Sequence, residues 1–99
     1  MCDMTGYVPK TTFWQDFSIA ECFGRDEIKD TFRRAFNEWK HDAVYLTELV
    51  MILNWKLWSW YEQNESIANI YNDLYEKADR YAIETLKGDE LEYFLKTTD

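Results

Sequence analysis

The segment "AVYLTELVMILNWKLWSWY", Ala43 to Tyr61, constrains the fold of this chain more than any other. At 100° per residue, Leu46, Leu49, Val50, Leu53, Leu57, Trp60 and Tyr61 share one stripe of a helix. Met51, Trp55 and Trp58 then fall on or near the opposite side. A helix that is apolar nearly all round belongs at the centre of a bundle or in a membrane. Glu48, Asn54 and Lys56 interrupt the run, a mixture that a membrane span rarely accepts. The helix is therefore predicted to be central, with Trp60 in the main core. Trp55 and Trp58 must then be covered from the second side, or else form an aromatic anchor for another protein.

The flanking sequence supplies the partners. Asp42 precedes this helix as its cap and the pattern runs to about residue 63. Asn64 caps the next helix, about 65–87, whose stripe is Ile67, Ile70, Tyr71, Leu74, Ala78, Tyr81, Ala82 and Thr85. The joint "QNES" is short, so the two should form an antiparallel hairpin. Upstream, Ile28, Phe32, Ala35, Phe36 and Trp39 recur at helical spacing over about 26–40, with Asp26 at the cap position and Asp30 four residues before Arg34. Thr12 and Gly24 bracket a short first helix with Phe13, Phe17 and Ala20 inward. Asp89 and Glu92 have capping-box spacing for a short last helix carrying Leu91, Phe94 and Leu95. Residues 1–11, with Gly6 and Pro9 and no period, read as a loose lead-in.

The expected fold is thus all-α. It is a small bundle of three main helices (about 26–40, 42–63 and 65–87), with short N- and C-terminal helices across the second side of the central one. A 12.0 kDa chain that is 46% hydrophobic can bury a core of its own as one domain, 1–99. Cys2 and Cys22 form no metal or redox spacing, and reduced thiols in cytoplasm are the simpler reading. The N-terminus has no cationic start and apolar run, so no signal peptide is read there.

Charge is uneven. Nineteen acids against eleven bases give −8. Residues 1–61 hold nine acids and seven bases (−2), and residues 62–99 hold ten acids and four bases (−6). An acidic surface disfavours direct nucleic-acid binding and docking on anionic membranes. It suits a basic groove on another protein, or simply solubility. The acidic side comprises Asp73 and Glu84 on one flank of the fourth helix, then Asp89, Glu90 and Glu92; Lys77 is placed to neutralise Asp73 in part, so the uncompensated acids lie nearer the end of the chain. Such a ridge can imitate a nucleic-acid backbone. Ile83 should point outward.

Catalytic material is sparse, and no cofactor or metal is predicted. Glu38-x-x-His41 is half of a di-iron motif, but His41 is the only histidine and no inward carboxylate is expected on the third and fourth helices. Glu62-x-x-Glu65 with Glu76-x-x-Asp79 is reminiscent of the paired acids of magnesium-dependent nucleotide pyrophosphohydrolases. The pairs would lie about 16 Å apart along a helix, too far to share an ion, and Glu76 reads as a surface partner of Arg80. Lys29, Arg33 and Lys40 are interleaved with acids, as on an ordinary solvated face.

The segments "TFWQDFSIAECFG", "FNEWK", "YLTELVMILNWK" and "LKGDELEYFLKTTD" resemble a family of short, uncharacterised acidic helical proteins carried by bacterial phages and conjugative mobile elements. The resemblance covers about residues 11–99 and brings no catalytic or binding residues with it. It implies a setting in which small acidic proteins are often inhibitors of host defence, anti-CRISPR proteins among them, or accessory partners of element proteins. The leading expectation is a non-enzymatic inhibitor of a defence nuclease, binding by the acids or by Trp55 and Trp58. The alternatives are a self-associating or accessory bundle using the aromatic side of the central helix, and a nucleotide hydrolase.

Overall fold

A computed structural model of the protein describes residues 9–98, and all five predicted helices are present: α1 (Phe13–Phe23), α2 (Arg25–Trp39), α3 (Ala43–Trp60), α4 (Glu65–Thr85) and α5 (Asp89–Thr98). No strand occurs among the described residues. The expected lead-in lies largely outside them; Lys10 and Thr11 are the part that can be placed.

Local chemistry sets most helix ends. Asp42 caps α3 as predicted, its Oδ1 accepting from the N–H groups of Val44 and Tyr45 at 3.0 and 3.1 Å. Asn64 caps α4, accepting from Ile67 N–H at 3.2 Å. Three other caps differ from expectation. The Thr12 hydroxyl donates to Asp16 at 3.0 Å instead of accepting from α1. Asp26 lies inside the first turn of α2, because Gly24 alone separates α1 from α2. Gly24 has φ +120°, ψ −178°, a conformation that side chains disfavour. Asp89 is likewise inside α5, which starts one residue after Gly88 at φ +62°.

The α3–α4 antiparallel hairpin is the most extensive packing in the molecule, and α1–α2 forms a second hairpin against it. α5 packs chiefly on α3, whereas α1 packs more on α2 than across α3, a correction to the expected arrangement. Leu46, Leu49, Val50, Ile52 and Leu53 are wholly buried, so α3 is surrounded through its middle as its all-round apolar pattern requires. Phe17 and Phe32–Phe36 bring α1 and α2 into the same core; Phe17 meets the Tyr71 ring edge-on at 5.7 Å, and Phe36 meets Tyr81 at 5.0 Å. Tyr61, expected on the main stripe of α3, is 59% exposed, because α3 ends at Trp60 and the chain turns away. Thr85 and Leu95, placed on apolar stripes by period alone, are also exposed. No helix of the described residues is long and apolar enough to cross a membrane.

Candidate functional site

Three groups of side chains depart from plain core and plain solvated surface. The first is a buried polar cluster. Glu21 follows Phe17 by four residues and so lies on the inward side of α1. Its Oε2 accepts from three donors of the α3–α4 hairpin: Lys56 Nζ at 3.1 Å, Trp60 Nε1 at 3.0 Å and the Tyr71 hydroxyl at 2.5 Å. Lys56 is 3% exposed; its ammonium also donates to Ser18 Oγ at 2.6 Å and sits 4.0 Å from the Trp14 ring centroid. Burial pulls the Lys56 amine below its ordinary value, and the Glu21 carboxylate opposes that shift. Burial, and donation to Glu21, push the Tyr71 phenol far above its ordinary value.

Glu48, 1% exposed, is a second buried charge, and it corrects the expectation that α3 and α4 carry no inward carboxylate. It accepts from the Lys10 backbone N–H at 2.8 Å and from the Thr11 hydroxyl. Both clusters fasten one element to another. Among the described residues no buried side-chain nitrogen or oxygen lacks a partner, so the arrangement reads as architecture and not as reactive groups poised toward a substrate.

The second group is the aromatic end of the α3–α4 hairpin. The sequence places Trp55 and Trp58 together, but the structure separates them. Trp55 is 8% exposed and belongs to the core, which corrects its assignment to a binding face; Trp58 is 51% exposed. Trp58 instead meets Tyr61, with ring centroids 5.2 Å apart and planes tilted by 47°. Beside the pair a cleft of about 480 Å³ opens between α3 and α4, floored by Leu57 and Ala68 and rimmed by Glu65, Asn69 and Asn72.

The third group is the acidic surface. Asp73, Glu84, Asp89, Glu90 and Glu92 are all exposed. Asp73 and Glu84 border one shallow cleft with Phe36, Glu76, Lys77, Arg80 and Tyr81, so two bases stand between them. Asp89, Glu90 and Glu92 crowd the first turn of α5, where the helix dipole favours negative charge. Of the ten acids after Tyr61, all but Asp99 are described, and none of those nine is within ion-pair distance of a base. Lys77 lies over the Phe32 ring at 5.8 Å instead of pairing with Asp73, and Glu76 accepts from Asn72 at 3.4 Å instead of pairing with Arg80. On α2 the pairs are Asp30 with Arg33 at 3.0 Å and Glu27 with Arg34 at 3.3 Å, not Asp30 with Arg34.

The other candidates stay apart. Glu38 and His41 are exposed at the end of α2. Glu62 and Glu65 lie at the hairpin tip, far along α4 from Glu76 and Asp79. Burial, and not a metal-ligand grouping, raises the Asp79 carboxyl. Among the described residues no three His, Cys, Asp or Glu side chains gather as metal ligands would. Cys22 is an exposed free thiol, and Cys2 lies outside the described residues. Ile83 points outward as predicted, 48% exposed.

These features define an all-helical protein with a fully bonded polar interior and an open acidic half. No protein-family model matches the chain, and no curated protein or solved structure is significantly similar to it.

Proposed function

We propose that this is a non-enzymatic protein-binding module whose partner presents a basic, nucleic-acid-binding groove, and most concretely an inhibitor of a bacterial defence nuclease. One observation carries the reading: none of the nine carboxylates of residues 62–98 forms an ion pair among the described residues, while three of the six on α1 and α2 (Glu21, Glu27 and Asp30) are bonded to bases. Surface carboxylates not bonded to a base leave a net negative field, which steers and orients a basic partner. Asp89, Glu90 and Glu92 are the densest part of that field, with Asp73 and Glu84 on α4 adding to it. The resemblance of four segments to mobile-element proteins supports the choice of a defence nuclease as target.

The test begins with capture from a bacterial lysate at low and high salt, followed by competition on the purified partner. An oligonucleotide that the partner binds should displace this protein, and the complex should weaken as salt rises. A complex indifferent to both salt and oligonucleotide overturns the mimicry. The exposed Trp58–Tyr61 pair favours a second reading, an accessory or self-associating bundle, which concentration-dependent mass in light scattering would reveal. Turnover of a nucleoside triphosphate with magnesium would overturn the non-enzymatic assignment.

A further inference from the structure

Aromatic rings in this protein are repeatedly matched with its own cations. Lys56 lies over Trp14 at 4.0 Å, Lys77 over Phe32 at 5.8 Å, and Lys40 over Phe36 and Tyr81 at 5.7 and 5.9 Å. Among the described residues Trp58 and Tyr61 have no such partner, although they are among the most exposed rings. The cleft beside them is lined by acceptors without a base. Glu65 has no ion pair or hydrogen bond from its carboxylate among the described residues, and Asn69 has none from its amide. Asn72 uses its amide nitrogen on Glu76, which leaves its carbonyl oxygen open.

We infer that this cleft receives an arginine side chain of a partner protein. The proposal rests on the basic-partner reading above and names the point of contact. A guanidinium supplies what the lining lacks: positive charge, a flat face for an aromatic ring, and several N–H donors in one plane. The two rings touch each other, so the cation lies over their outer faces and not in a slot between them. From there its N–H groups reach toward the Glu65 carboxylate and the Asn69 and Asn72 carbonyls. Lysine would keep the charge but lose the planar stacking and the forked donors. The cleft volume of about 480 Å³ admits one long side chain with its backbone left outside.

The experiment is a titration of the 99-residue chain followed by amide, indole and carboxamide NMR signals, with Trp58 assigned through Trp58→Phe. The probes are a short arginine-containing peptide and the same peptide with citrulline, a neutral isostere, or lysine in place of arginine. The expected result is saturable shifts at Trp58, Tyr61 and Asn69, with affinity for the arginine peptide about tenfold above that for citrulline. Glu65→Gln should remove most of that difference. Equal affinity for the two peptides, or shifts confined to Asp89–Glu92, would overturn the cleft while leaving the acidic-partner reading in place. Saturation at the cleft by peptide, together with no salt-sensitive protein captured from lysate, would instead leave the cleft standing and sink that reading.

Discussion

In residues 9–61, Glu21 meets Lys56, Asp30 meets Arg33 and Glu27 meets Arg34, all within 3.3 Å; in residues 62–98 no carboxylate meets a base. The two halves share one core, so the difference is not one of folding quality. In the first half Glu21 with Lys56, and Glu48, turn charge inward, where a carboxylate must be satisfied because desolvation makes an unpaired one costly; the two α2 pairs lie on the surface. In the second half charge stands in water, where pairing contributes little and solvation already satisfies it. The same residue types therefore do two jobs. Removing Lys56, Glu21 or Glu48 should damage the fold, and removing an acid from the second half should damage binding alone.

The largest effect should come from Lys56→Met. It leaves the nearly buried Glu21 carboxylate without its counter-charge, a change that typically costs about 3–5 kcal/mol, readable by urea denaturation. Adding Glu21→Gln should recover most of the loss, because a buried pair replaced as a unit is often near neutral. If the single and double variants are equally unstable, packing and not charge governs the site.

Next is Glu48→Ala, which frees the Lys10 N–H and Thr11 hydroxyl from the middle of α3. Bonds to a charged acceptor are worth about 1.5–3 kcal/mol each, and amide exchange at Lys10 should accelerate with the fall in stability. Unchanged exchange there would show that Glu48 does not hold this segment.

Tyr71→Phe should cost about 1–2 kcal/mol at neutral pH, since Glu21 keeps Lys56 and Trp60 as donors. Its clearer signature is alkaline. The folded phenol holds its proton well above the ordinary 10.0. The folded chain thus binds more protons than the unfolded one above pH 10, and stability falls as pH rises past that point. The variant should lose this part of the slope; an identical slope would remove Tyr71 from the account.

Much of this fold was legible. Caps at Asp42 and Asn64, the short joint between α3 and α4, and the all-round apolar pattern of α3 each follow from local chemistry. What period alone misjudged were the ends: Tyr61 and Leu95 fit their stripes but are exposed, Tyr61 because α3 stops at Trp60. The buried clusters were hidden for another reason. A helical wheel sends charges to solvent by default, and the partners of Lys56 and Glu48 come from other elements, 35 or more residues away. A signal was nonetheless present. Lys56 has no acid three or four residues away in either direction, and Glu48 no base, on a helix with no polar side to receive them.

The smallest effect on stability is predicted for the combined Asp89→Asn, Glu90→Gln and Glu92→Gln variant. It forfeits only favourable dipole interactions at the start of α5, about 0.3–1 kcal/mol for each charge at most. Binding should respond far more, and that contrast is the most direct test of the division between the halves. The measurement is affinity of this triple variant for the captured partner at low salt, with its thermal melt recorded alongside. Marked loss of affinity with a nearly unchanged melt is the predicted result. Full affinity in the folded variant would contradict the claim that the open acids are the working surface.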